Sequence, residues 1–159
     1  MTRHQLLVRL LKDWGERLRL QSWTVELITD ADDFLPPDAN KQVKGGASFV
    51  YIGSQRGWIK IGPNAMVGDD PHKARNILVH ESMHLRWWRA GEAVYVLNNE
   101  AILTKAQWSL FESQYLNTEE VCLDETARAF LACPGWLKDD RWFLLAWRRA
   151  GVGRRGLHE

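Results

Sequence analysis

The stretch of this chain whose residue types and spacing can do chemistry is His80-Glu81-Ser82-Met83-His84. Two histidines four residues apart on a helix stand about 40° apart around its axis, so both rings leave the same face. Imidazoles so placed can hold one zinc ion at about 2.0–2.1 Å from each nitrogen. The glutamate between them projects to one side, where it can take a proton from water activated by the metal. The chemistry served by such a set is hydrolysis of a peptide bond, with His80 and His84 as metal ligands and Glu81 as general base. Each ligand histidine must be neutral, so metal binding should weaken at acid pH.

A catalytic zinc needs a third protein ligand and one open position. Downstream, the next histidine is His158, close to the end of the chain, so the third ligand is expected to be a carboxylate. Candidates are Glu92, Glu100, Glu112, Glu119, Glu120, Asp124 and Glu125. Glu120 is preferred because Asp124 lies one helical turn beyond it, on the same face. Glu120 can then bind the metal while Asp124 accepts a hydrogen bond from the far nitrogen of a ligand histidine, which orients the ring and raises its basicity. Glu125 would have Ala129 in that position and Glu119 would have Leu123.

These residues must be carried by defined elements. Leu6, Leu7, Leu10, Leu11, Trp14 and Leu18 recur at helical spacing, which predicts an amphipathic helix over 2–20. Residues 22–29 alternate and predict a strand. Residues 31–46, with Pro36, Pro37 and Gly45-Gly46, predict a long loop that could act as a lid. Two strands are expected at 47–53 and 57–62. Asp69-Asp70-Pro71 signals a helix start, with an aspartate at the cap and proline at the first helical position. That helix, carrying the HExxH stretch, is expected to run to about Ala90 and stop at Gly91. A helical region over 92–115 follows, then a helix from about Asn117 to Cys133, whose Asn117 and Glu120 resemble a capping box. A last helix is expected over 137–150, with a frayed tail over 151–159. Helix, strands, then helices point to an α+β fold in a single domain over 1–159 with a small three-stranded sheet.

Composition removes other classes. The chain has 159 residues, 45% of them apolar, enough for one hydrophobic core. A net charge of +1 does not give the broad positive field of a nucleic-acid binder. Arg148, Arg149, Arg154 and Arg155 read as a solvated end. No apolar run is long enough to cross a membrane, and Arg9, Lys12 and Asp13 interrupt any signal-like start, so a cytoplasmic location is expected. Cys122 and Cys133 are read as buried free thiols rather than a disulfide. The nine tryptophans are read mainly as core packing.

HExxH followed by Glu120-Val121-Cys122-Leu123-Asp124, an E-x-x-x-D helix, resembles the gluzincin metallopeptidases of the thermolysin type. The order of elements is similar to the minimal zincin-like proteins of phages and prophages, and more loosely to the ImmA/IrrE peptidases. The likeness covers roughly residues 5–133. ImmA/IrrE proteins usually carry alanine before the last residue of the second motif, where Leu123 stands here. The resemblance implies a zinc cofactor and a peptide or protein substrate. It also implies that the strand before the HExxH helix holds the extended peptide, which assigns substrate binding to Trp58, Ile59, Lys60 and Ile61. A second expectation is a phage or prophage regulatory protein that captures or cleaves one partner. A third is a zinc-stabilised interaction domain without catalysis.

Overall fold

The computed structural model describes residues 1–28, 46–51, 55–67, 70–99, 102–133 and 141–152. Of the expected loop over 31–46, residues 31–45 lie outside these and Gly46 opens a strand; of the expected tail over 151–159, Gly151 and Val152 are helical and residues 153–159 lie outside. Helix α1 spans Arg3–Gly15 and opens with a capping box: Thr2 accepts the Gln5 N–H, and the Gln5 side chain accepts the Thr2 N–H. It buries Leu6, Leu7, Leu10, Leu11 and Trp14, the stripe seen in the sequence. The helix ends earlier than 20 because the chain closes a Schellman turn. The Leu20 N–H donates to the Gly15 carbonyl at 2.8 Å and the Arg19 N–H to Glu16 at 3.0 Å, with Arg19 at φ 53°.

Strands β1 (Thr24–Ile28), β2 (Gly46–Tyr51) and β3 (Arg56–Ile61) form a mixed sheet in the order β1-β3-β2. β1 runs parallel to β3, with Val25 opposite Gly57; β2 runs antiparallel to it, with Phe49 opposite Trp58. The short helix α2 (Pro63–Val67) was not anticipated; Arg3 donates to the Met66 carbonyl at its end.

Helix α3 (Pro71–Asn99) starts where expected, with the Asp70 carboxylate accepting the His72 N–H at 2.9 Å. It does not stop at Gly91. A glycine inside a helix costs only about 1 kcal/mol, and here the helix continues for two more turns. Helix α4 (Lys105–Ala132) is likewise one rod, capped by Thr104 with Gln107. Asn117 lies inside it, so the Asn117–Glu120 pattern is not a helix start. Helix α5 (Arg141–Val152) closes the chain's described part.

The core lies between α1, α5, the first half of α3 and one face of the sheet, and includes Leu7, Leu10, Ile59, Leu78, Met83, Phe143 and Trp147. Trp14, Trp58, Trp108 and Trp147 are buried, whereas Trp87 is exposed. Cys122 and Cys133 are free, as expected, but both are exposed rather than buried. α4 turns Leu123 and Ala127 inward, which leaves Cys122 on its outer face. Among the described residues no helix is long and apolar enough to cross a membrane.

Candidate metal centre

The site arises where α3 runs between β2 on one flank and α4 on the other. Its inner face buries Ala74, Leu78, Val79, Met83 and Leu85. Ser82 is also buried and satisfies its hydroxyl on the Leu78 carbonyl at 2.7 Å, one turn back. With that face committed to the core, His80 and His84 turn toward α4 and Glu81, about 100° further round, turns toward β2.

α4 runs antiparallel beside α3 and presents Glu119, Glu120 and Asp124 to the two histidines. His80 Nε2 and His84 Nε2 lie 3.1 Å apart. Glu120 Oε2 is 3.2 Å from His80 Nε2, and Glu120 Oε1 is 3.2 Å from His84 Nε2. Three donors at these mutual distances fit a divalent ion well: a tetrahedral zinc with bonds of about 2.0–2.1 Å sets its ligand atoms about 3.3 Å apart. The alternative, a cluster held by hydrogen bonds alone, leaves one proton at most to share between two facing imidazole nitrogens. His80, His84 and Glu120 thus form a group able to hold a metal ion.

The outer nitrogens of both rings face carboxylates. Asp124 Oδ1 stands 2.9 Å from His80 Nδ1, off the axis of the ring N–H, so that the buried Nδ1 lacks an aligned hydrogen bond. Glu119 Oε1 lies 3.9 Å from His84 Nδ1. Burial pushes the His84 imidazole below its ordinary pKa; Glu120 opposes this and His80 adds to it. His84 is therefore predisposed to the neutral form that a metal ligand requires. The Glu119 carboxyl is pushed up by its own burial and by the Glu120 charge, against a hydrogen bond from Tyr115.

No protein-family model, curated protein or solved structure matches this chain.

Of the residues singled out from the sequence, His80, His84 and Glu120 come together in one group, and Asp124 stands beside His80 without the aligned hydrogen bond expected of it. Glu81 is 6% exposed and its carboxylate packs beneath Gly46 of β2. Arg128 pairs with Asp124 at 3.3 Å, one turn along α4. Glu92, Glu112 and Glu125 do not join the cluster, and Glu100 lies outside the described residues. The assignment of substrate binding to Trp58, Ile59, Lys60 and Ile61 needs correction. β3 is paired on both sides, so it has no free edge for a peptide, and all four side chains are buried. The alternating pattern at 58–61 marks a strand but cannot tell a central one from an edge. Among the described residues, β2 is paired on one side only and packs against α3. Two participants went unread: Glu119, passed over because Leu123 follows it one turn later, and Gly46, whose lack of a side chain makes room for Glu81.

Proposed function

We propose that this chain is a zinc-dependent peptidase of the gluzincin kind, holding the ion through His80, His84 and Glu120. One observation carries the reading: two imidazole nitrogens and a carboxylate from separate helices converge at 3.1–3.2 Å from one another. Two nitrogen donors and one carboxylate favour zinc over magnesium or calcium, which prefer all-oxygen shells. When bound there, zinc supplies Lewis acidity toward a peptide carbonyl and toward water. Asp124 and Glu119 put negative charge beside the outer nitrogens of the two rings. Glu81 accepts the proton released by water and returns it to the departing amine. An extended peptide lies along the open side of β2, next to Glu81, and is gripped through backbone groups rather than sequence-specific pockets.

The test is zinc content and hydrolysis of unfolded casein by wild type and Glu81→Gln. Both proteins should carry one zinc per chain, and only the variant should be inactive. Glu81→Gln hydrolysing casein at the wild-type rate rules the mechanism out.

A second reading keeps the metal and drops the catalysis: a zinc-stabilised interaction domain, of the kind phage regulators could use. The depth of Glu81 favours it, since a general base at 6% exposure must be reached by water. One zinc per chain with no cleavage of casein by wild type selects this reading.

A further inference from the structure

The mixed sheet has two edges. β2 lies beside Glu81; β1 is the opposite edge, and among the described residues it pairs only with β3. The pairing fixes which backbone groups of β1 are used. The Thr24 N–H donates to the Gln55 carbonyl at 2.9 Å, and Thr24 stands opposite Arg56 in a parallel register. In such a ladder alternate residues turn both N–H and C=O toward the partner strand. Thr24, Glu26 and Ile28 therefore face β3, whereas Val25 and Leu27 turn their backbone groups outward. Outward groups of an edge strand are donors and acceptors for another strand.

This edge opens on a groove of about 760 Å³ between β1 and α1, a size within the range of ligand sites. Its walls are largely apolar. Val8 and Leu11 come from α1, Leu20 and Trp23 from the segment leading to β1, and Val25 and Leu27 from the strand itself. Val25 and Leu27 pack against the core, so their side chains lie on the sheet face that α1 covers. Three charged residues also line the groove. Arg56 and Glu26 neutralise each other at 2.8 Å. Lys12 forms no ion pair with a described residue, so the lining carries one uncompensated positive charge.

We propose that an extended segment of a partner protein, apolar at alternate positions and acidic between or beside them, adds to β1 as a further strand in this groove. The occupant follows from three demands that the groove makes together. A small apolar molecule would meet the walls and leave the backbone groups of Val25 and Leu27 without partners. A helix has no backbone groups free to offer them. An extended chain completes the edge with its own N–H and C=O groups, sets alternate side chains on the face of Val25 and Leu27, and brings a carboxylate to Lys12. The inference does not rest on the peptidase reading, since none of His80, Glu81, His84 and Glu120 lines the groove.

The experiment uses the full chain and a short synthetic peptide alternating valine and glutamate, blocked at both ends, with amide hydrogen exchange read residue by residue. In the free chain the Val25 and Leu27 amides should exchange at least about tenfold faster than those of Glu26 and Ile28, and saturating peptide should remove most of that difference. The same peptide N-methylated at the residues that face β1 should bind at least about tenfold more weakly, the loss expected for two backbone hydrogen bonds. A valine–lysine peptide should bind wild type about threefold more weakly than the valine–glutamate peptide, and Lys12→Glu should reverse that order. Val8→Ser, at a position 44% exposed and outside the core, should weaken both peptides about threefold. Val25 and Leu27 amides as slow as their neighbours in a free monomer overturn the proposal, because the chain then covers its own edge. The same protection in a wild-type dimer overturns it in favour of a second copy. A valine–glutamate peptide that slows neither amide, or an N-methylated peptide that binds as well, also overturns it. An order of peptides that Lys12→Glu leaves unchanged overturns the acidic assignment.

Discussion

Gly46 of β2 and Glu81 of α3 occupy adjoining space so closely that a Cβ on the glycine would fall 2.7 Å from Glu81 Oε1 and 2.9 Å from its Cγ. It would also collide with Ile77 of the same helix. Gly46→Ala should therefore push α3 from β2 or force Glu81 out of its place. The expected loss is about 1–3 kcal/mol, typical of overpacking, read from urea unfolding. Casein hydrolysis should fall further than the folded fraction does. A variant as stable and as active as wild type would show that the approach of β2 to Glu81 is looser than the structure has it.

Metal retention separates the ligands from their supports. Ala at His80, His84 or Glu120 should abolish stoichiometric zinc, while Glu125→Ala should leave it intact. Asp124→Ala and Glu119→Ala should keep the ion but weaken it by about 10–100-fold, as removal of an outer-shell carboxylate does. Competition against a chelator of known affinity measures this. Full zinc affinity in Glu120→Ala would assign the third ligand elsewhere.

The pH dependence of the metal-free protein has a definite sign. Burial lowers the folded pKa of His84 below its ordinary value of 6.5. Between the folded value and 6.5 the unfolded chain binds more protons, so stability falls with falling pH. The His84 contribution is complete above 6.5 and is lost as pH drops through the folded value. Glu119 acts the other way: its raised pKa gives a contribution present below its ordinary value of 4.5 and lost as pH rises through the folded value. With chelator present, the urea midpoint of wild type should drop more between pH 7.5 and 5.5 than that of His84→Gln. Equal drops would mean that His84 is not held neutral by burial.

Gly15 sits at the end of α1 with open space where a side chain would go: nothing lies within 4 Å of its ideal Cβ position. Gly15→Ala should stabilise the fold by about 0.5–1 kcal/mol, by raising helix propensity and restricting the unfolded chain. Zinc content should not change. Destabilisation would show that the Schellman turn after α1 depends on glycine there.

The candidate ligand group was legible in the sequence because its signals are local: HExxH fixes two rings on one helix face, and Glu120 with Asp124 repeats the spacing on another. The helix limits were less so. Gly91 and Asn117 have the right chemistry for ends, yet both helices run on past them, and a glycine inside a helix costs only about 1 kcal/mol. Strand order was not legible at all. Trp58-Ile59-Lys60-Ile61 has the pattern of a strand, but its place between β1 and β2 depends on how residues far apart in the chain pair. Gly46 escaped notice for a similar reason, since a close approach belongs to two elements and neither one's sequence displays it.

α3 carries Glu81 on the flank that meets β2 and His80 and His84 on the flank that meets α4. A rigid rod rolling about its own axis cannot swing one flank outward without drawing the other in. On the proposed function, a peptide that settled beside β2 and turned α3 would also alter the grip between α3 and α4. By thermodynamic linkage the ion would then change the peptide's affinity by the same factor as the peptide changes the ion's, from the opposite flank of the helix.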